Sequence, residues 1–202
     1  MTNKIVKTQN GSVVTNPPLA RFLFEDTRFS VVWLVIRVLV GWEWLQASLH
    51  KLGEPGWMQT GESLKAFWTR IVAVPASPAK PLIYYDWYRS FIQGLLDSGA
   101  YTWFAKLIAI GEFAVGVALI IGAFVGIAAF FGALMNWNFL MAGALSSNPL
   151  LFIGALALIL AWKTAGYYGA DRFLLSRLGT PWGRDTSQEK TAQNQTPSPS
   201  AV

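Results

Sequence analysis

The sequence of 202 residues has no cysteine and a single histidine. Without cysteine the chain cannot form disulfides, iron–sulfur clusters, thiolate metal sites or a cysteine nucleophile. With one histidine it cannot ligate a haem through two histidines of the same chain. We therefore expect no metal site and no bound cofactor in this chain.

Charged residues are also scarce, at 13% of the chain, whereas soluble domains carry about 25%. Hydrophobic residues make up 53%, and the mean hydropathy is +0.37. The net charge of +5 comes from basic residues that are scattered and flank apolar runs, which is typical of membrane topology signals rather than of nucleic-acid binding. We therefore predict that the chain lies in a lipid bilayer and has no nucleic-acid partner.

The apolar segments predict an all-α integral membrane four-helix bundle. The first thirty residues contain no signal-peptide core, so the first span is expected to be retained. The almost unbroken apolar run 102–147 is about twice as long as a bilayer crossing requires, and it is expected to break between Gly122 and Gly126. The predicted spans are Val31–Leu49, Thr102–Ile121, Gly126–Leu145 and a fourth that opens at Leu150 and ends near Tyr167.

The bundle is predicted to occupy residues 31–175, between a polar amino-terminal arm (1–30) and a disordered, polar carboxy-terminal tail (176–202). Basic residues flank the bundle on both terminal sides. Under the positive-inside rule, four spans then give a multi-pass protein of the cell membrane with both termini cytoplasmic.

The long connection between spans one and two contains two amphipathic pieces, Glu62–Val74 and Leu82–Leu96, in which apolar residues recur at helical spacing. We expect two helices that lie flat on the membrane or over the mouth of the bundle. A separate pattern concerns span two, where Ala114, Ala118 and Gly122 repeat every four residues and predict a close helix contact.

Several polar groups fall within the predicted spans. Glu43, Gln46 and His50 share one face of the first span, and Glu112 lies near the middle of the second. We expect Glu43, Gln46 and Glu112 to face Asn136 of the third span inside the bundle, because exposure of such groups to lipid is costly. Each glutamate should be protonated or paired, and Arg37 is the expected partner of Glu112. The cluster predicts a proton path or a small-molecule site, or, for the asparagines, hydrogen bonds that join helices.

Several short motifs resemble the DoxX/DoxD membrane proteins. They cover about residues 30–175 and are, in order, Arg37-x3-Gly41 with His50-Lys51-Leu52, Gly111-Glu112-Phe113-Ala114-Val115-Gly116 continuing to Leu119-Ile120-Ile121-Gly122, Met135-Asn136-Trp137-Asn138-Phe139, Ser147-Asn148-Pro149, and Gly169-Ala170-Asp171-Arg172-Phe173-Leu174. The resemblance implies a four-helix membrane bundle. The DoxD-type branch implies the large subunit of a thiosulfate:quinone oxidoreductase, which oxidises thiosulfate to tetrathionate and passes electrons to quinone.

That resemblance carries implications for cofactors and partners. Quinone is the expected electron acceptor, and a second, DoxA-like subunit or another redox partner is expected to assemble with the chain. Thiosulfate is a dianion that needs positive charge, and we expect His50, Lys51 and Arg70 to supply it at the outer mouth. The alternatives are a non-enzymatic component that scaffolds a redox partner, and a pathway for a small solute or protons.

Two sets of residues are therefore predicted to form the site. Catalytic proton transfer is assigned to Glu112, Glu43 and His50. Substrate binding is assigned to polar and aromatic residues in or next to spans one and three: Arg37, Trp44, Gln46, Lys51, Asn136, Trp137 and Asn138. Trp44, Trp137 and Phe139 are expected to pack a quinone ring.

Overall fold

The computed structural model describes residues 6–7, 13–14 and 16–179 of the chain. Val6–Lys7 and Val13–Val14 form an antiparallel pair of two-residue strands, β1 and β2. All other regular structure in the described residues is helical, which confirms the predicted all-α class. The predicted arm 1–30 lies partly outside the described residues, and so does the tail 176–202 beyond Gly179.

The helices of the described part follow one another with short connections, apart from the loop between the fourth and the fifth. In chain order they are α1 (Pro18–Glu25), a 3-10 turn (Thr27–Phe29), α2 (Ser30–Gly53), α3 (Pro55–Met58), α4 (Glu62–Val72), α5 (Asp86–Asp97), α6 (Tyr101–Ile121), α7 (Val125–Met141), α8 (Asn148–Leu160), α9 (Trp162–Ala165) and α10 (Asp171–Arg177).

Two helical segments, Thr27–Gly53 and Tyr101–Ile121, are long and apolar enough to cross a membrane. Helices α7 and α8 are equally apolar but have 17 and 13 residues. Helix α7 ends four residues before the predicted Leu145, close to Gly143, whose φ of +77° leaves the helical region. Helix α8 ends at Leu160 rather than near Tyr167, and the short α9 continues the chain.

Helices α2 and α6 run antiparallel and pack closely through glycine. A Cβ on Gly116 would lie 2.8 Å from the backbone nitrogen of Leu45, and a Cβ on Gly41 would lie 3.0 Å from the carbonyl oxygen of Gly116. The two backbones therefore meet at a distance that only glycine permits. The predicted close contact through Ala114, Ala118 and Gly122 is wrong for Ala114, which is exposed, and for Ala118, which is only half-buried. Gly122 does lie in a close contact, since a Cβ on Gly169 would be 2.8 Å from the Gly122 Cα.

The turn between α6 and α7 is at the predicted break and is fastened by two charged side chains. Gly122 ends α6 with a φ of +70°. The buried Arg37 donates to the carbonyl oxygens of Leu119 and Ile120 at 2.5 and 2.8 Å, and so compensates the carboxy-terminal end of α6. The prediction that Arg37 pairs with Glu112 is wrong, since the guanidinium is held by helix-end carbonyls nearer the amino-terminal end of α2.

Asp171, at the start of α10, holds the other side of that turn. Its carboxylate accepts from the backbone N–H groups of Phe124 and Val125, at 2.5 and 2.9 Å. These are N–H groups at the beginning of α7 that have no partner within the helix. Helix α10 is thereby attached to the hairpin of α6 and α7.

Helices α4 and α5 are the two predicted amphipathic helices, with bounds within four residues of those expected. Their inner faces are buried against the end of the bundle where α6 begins and α7 ends, which we call the outer end; there Leu64, Trp68, Ile71, Tyr88 and Ile92 form a second core with Ala105 and Ala142. They therefore cover one end of the bundle. Helix α1 covers the opposite end of α2, where Trp33 donates to the Leu23 carbonyl oxygen at 2.8 Å.

The capping role of Asp171 gives a stability prediction. Asp171→Asn keeps the shape of the side chain but removes the negative charge at the start of α7, so we expect a loss of about 1–2 kcal/mol and a lower temperature of thermal aggregation. Asp97→Asn is the control, because the Asp97 carboxylate is exposed and only accepts from Gln93 within the same helix. An Asp171→Asn protein as stable as the control would contradict the capping role.

Candidate functional site

A buried ion pair lies between α2 and α6. The Lys51 ammonium is 2.7 Å from Oε1 and 2.5 Å from Oε2 of Glu112. The Glu112 side chain is 1% exposed and that of Lys51 is 18% exposed. A carboxylate is costly to bury without a partner, and here Lys51, coming from the outer end of α2, supplies the charge and the hydrogen bonds.

Aromatic rings surround the exposed side of this pair. The Lys51 ammonium lies 5.2 Å from the centre of the Trp57 ring and 5.8 Å from that of Phe139. Both distances are within the range of cation–π attraction. Trp57 belongs to α3 and Phe139 to α7, so three segments besides α6 enclose the ammonium. Lys51 thus connects a deep carboxylate with the outer end of the bundle.

Asn136 adds an unpaired polar group at a similar height in the bundle. A Cβ on Gly132 of α7 would lie 3.3 Å from both Val115 of α6 and the Trp44 indole nitrogen, which fixes the relative height of the two helices. One turn toward the outer end leads from Val115 to Glu112 and from Gly132 to Asn136. Asn136 is fully buried, and neither atom of its amide, nor the buried indole N–H of Trp44, has a hydrogen-bond partner in the described protein. At this height of the bundle, the N–H groups of the Asn136 amide and the Trp44 indole can therefore donate to a further polar group, and the Asn136 amide oxygen can accept from one.

An apolar groove of about 960 Å³ runs between α6 and α7 and under α4 and α5. Its walls include small residues of α6 and aromatic or sulfur-containing residues of α7, among them Gly111, Ala114, Ala118, Met135 and Phe139. Phe139 therefore has one side toward the groove and lies within 5.8 Å of the Lys51 ammonium. The groove and the ion pair are neighbours that share this ring.

The outer end of the groove has a polar pair. The Tyr88 hydroxyl donates to the Asn138 backbone carbonyl at 3.1 Å and lies 3.3 Å from its side-chain oxygen. Burial raises the pKa of Tyr88 to about 12, so the hydroxyl is neutral at physiological pH and remains a donor. Both residues line the groove, which is thus apolar along its length with hydrogen-bonding groups at one end.

The structure separates the residues that the sequence analysis assigned to one site. Glu43, Gln46 and His50 share one face as predicted, but that face points outward and all three are exposed. The expectation that Glu43 and Gln46 face Glu112 and Asn136 inside the bundle is therefore wrong. Their face lies on the far side of α2 from the buried Trp44 and Ser48, and the helix cannot turn both faces inward.

The remaining residues that were predicted to form the site lie in different parts of the structure. Arg37 belongs to the turn of α6 and α7, and Trp137 is exposed at 40% on α7, 6.4 Å from the Tyr88 ring. Trp44 and Asn136 lie in the buried layer, and Asn138 lies in the groove. Lys51 was predicted to bind substrate; it lies at the site, where it pairs with Glu112. No group of three His, Asp or Glu side chains that could hold a metal ion occurs in the part of the chain that the structure describes.

Sequence reasoning missed the pairing of Lys51 with Glu112 and the part that Tyr88 plays. Spacing contains a signal for the first, since Trp44, Ser48 and Lys51 recur at intervals of four and three residues and share the buried face of α2. No local pattern indicates the second, because Tyr88 and Asn138 meet through tertiary packing.

Comparisons with family models, curated proteins and solved structures find no match to this chain. The resemblance to the DoxX/DoxD proteins therefore stays a prediction from the sequence motifs, and the site has to be judged on its own chemistry.

The ion pair gives a prediction of energetic coupling. Lys51→Met leaves a buried carboxyl without its partner, and Glu112→Leu leaves an ammonium among apolar groups, so each change alone should destabilise the protein by about 3 kcal/mol. The double variant removes both charges, and we expect it to be more stable than either single variant in thermal denaturation.

The exposed pair of Lys65 and Glu62, 3.2 Å apart on α4, is the matched control. Its double-mutant cycle should give a coupling of less than about 1 kcal/mol. Additive losses at Lys51 and Glu112 would contradict the proposed pairing.

Proposed function

We propose that the chain is an integral membrane four-helix bundle in which α2, α6, α7 and α8 with α9 cross the bilayer and both termini are cytoplasmic. Support comes from the two helices of spanning length and from the apolar composition of the two shorter ones. Large apolar side chains are also exposed along these helices, such as Leu39, Leu107, Phe130, Ile153 and Leu160. Apolar surface on this scale is typical of contact with lipid or another protein.

We propose that this bundle binds an isoprenoid quinone in the groove between α6 and α7. The proposal rests on one observation: the groove is apolar, and Phe139, one of its lining residues, lies 5.8 Å from the Lys51 ammonium that pairs with the buried Glu112. An apolar tail is favoured by burial along such walls, and an aromatic head stacks well on a ring such as Phe139.

The reaction proposed for the assembled protein is that of a quinone-linked oxidoreductase, most simply the oxidation of thiosulfate to tetrathionate. Two thiosulfate ions are joined by a new S–S bond and release two electrons. The quinone takes up these two electrons and two protons to become the quinol. The donor follows from the sequence resemblance, whereas the groove supports the quinone half of the reaction.

The role proposed for Glu112 and Lys51 is to deliver protons to the quinone. Lys51 is part-exposed, and Glu112 is buried between two residues of α6, Gly111 and Phe113, that line the groove. A carboxyl group that exchanges a proton with an ammonium has the donor and acceptor needed for general acid catalysis. The Lys51 charge is compensated by Glu112, so a thiosulfate dianion gains little from it. We therefore propose that thiosulfate binds on a second subunit, which also carries the electrons to the groove.

A second candidate function is a path for protons or a small polar solute. The buried amide of Asn136 without a protein partner, at the height of Glu112, favours it. In that case the groove would hold lipid, and flux across vesicles would not require quinone.

The first test is of topology, and the absence of cysteine makes it simple. Single cysteines at Ser77, in the loop before α5, and at Ser176, in α10, should label from opposite sides of the membrane with an impermeant maleimide. Labelling of both from the same side would contradict four spans.

The second test uses a substitution that narrows the groove. Ala114→Trp places an indole among its walls, and we expect the affinity for a short-chain ubiquinone analogue, measured by tryptophan fluorescence quenching, to fall about tenfold or more. Ile153→Trp adds the same ring to the outward side of α8 and is the control.

Turnover of the protein assembled with its second subunit separates proton delivery from quinone binding. Glu112→Gln should lower thiosulfate-dependent quinone reduction in this assembly while quinone binding persists. Equal quinone affinity in the Ala114→Trp, Ile153→Trp and unmodified proteins would contradict the groove as the binding site.

A further inference from the structure

The outward face of α2 contains two polar side chains without any partner. Glu43 and Gln46 are exposed and make no hydrogen bond or ion pair within the described structure. Glu43 is the fourteenth residue of the 24-residue helix Ser30–Gly53, so it lies close to the midpoint of the span. A carboxyl group at that depth facing lipid is strongly unfavourable. Some protein surface must therefore cover this face in the membrane.

The spacing on this face matches that of two helices wound around each other. Outward or half-buried residues recur at alternating intervals of four and three, namely Val32, Ile36, Leu39, Glu43, Gln46 and His50. A repeat of 3.5 residues keeps such a line facing one neighbouring helix along its whole length. The line runs along most of α2, so the missing neighbour is a long helix nearly parallel or antiparallel to it.

The polar pair is complementary to itself. In a dimer with a two-fold axis along the membrane normal, the two copies of α2 run parallel, and side chains at equivalent heights meet. Glu43 then packs into a hole formed by Leu39, Trp42, Glu43 and Gln46 of the second copy. The Gln46 amide can donate to a carboxylate or accept from a protonated carboxyl, so each Glu43 is satisfied by the opposite Gln46 in either state.

We infer that the face of α2 formed by Val32, Leu39, Glu43 and Gln46 is the interface between two copies of this chain. The inference rests on the membrane orientation in the proposed function, but not on quinone or thiosulfate. Neither Glu43 nor Gln46 lines the groove, so the two-fold contact leaves the grooves of both copies accessible. Lys51 lies on the other, buried face of α2 with Trp44 and Ser48, where it contacts Phe139 and Glu112.

Crosslinking tests the contact in the membrane. In the cysteine-free chain, Leu39→Cys should give a disulfide-linked dimer on mild oxidation, because the two copies of residue 39 meet across the axis. Leu156→Cys should stay monomeric, because Leu156 is exposed on α8 about 200° around that helix from Gly154, which packs on Val40 of α2. Absence of the Leu39→Cys dimer, equal crosslinking at both positions, or crosslinking of Leu39→Cys only to another protein would overturn the inference.

Substitutions at the polar pair test its chemistry. Interhelical hydrogen bonds in membranes average about a threefold effect each, so Glu43→Leu should weaken dimerisation, measured by single-molecule photobleaching in lipid, by about tenfold through the two symmetric contacts. Glu43→Gln keeps a donor and an acceptor and should retain the dimer. A Glu43→Leu protein that dimerises as well as the unmodified chain would overturn the role of this pair.

The two proposals fail in distinguishable ways. Loss of the dimer with intact quinone binding would reject only the interface. A stable dimer without quinone binding would reject only the groove, and labelling that contradicts four spans would remove the basis of both.

Discussion

The ion pair of Lys51 and Glu112 is the interaction on which the proposed site depends. An acid that is 1% exposed inside an apolar bundle needs a compensating charge. Lys51 supplies it because α2 and α6 approach closely at Gly41 and Gly116, so that the lysine stem can reach along α6. The same ammonium lies against Phe139, so the position of α7 is tied to the pair and the groove beside it has a fixed inner wall.

Charge compensation also stabilises the turn of the α6–α7 hairpin, at the other end of the bundle. Arg37 takes up the carbonyl oxygens that end α6, and Asp171 takes up the N–H groups that begin α7. At α1, the Lys163 ammonium, hydrogen-bonded at 3.1 Å, holds the pKa of Glu25 below its usual range. Unlike these charged side chains, Glu43 and Gln46 have no partner within the described chain. Their lack of a partner is the physical reason to expect a further protein surface on α2.

The sequence predicted where the helices begin and end better than it predicted which side of each helix is buried. Apolar runs and glycines located α6 and the break at Gly122, and helical spacing of apolar residues located both amphipathic helices, in each case within a few residues. The partners of charged residues could not be derived, because Arg37 and Lys51 have long side chains and both could reach toward Glu112 from α2. The prediction of the inward face of α2 was wrong for a related reason: many large apolar side chains are exposed on these helices, so the outer face is as apolar as the core and periodicity does not distinguish them. The groove depends on how far α6 and α7 separate, which no local pattern encodes.

Photoaffinity labelling of the protein in native membranes tests the central claim most directly. A quinone with a photoreactive group on its ring, followed by peptide mapping, should label α7 at Met135 or Phe139 and be displaced by unlabelled quinone. Labelling confined to outward residues of α8 such as Ile153, or labelling of Phe139 that excess quinone does not reduce, would contradict a quinone site beside the buried ion pair.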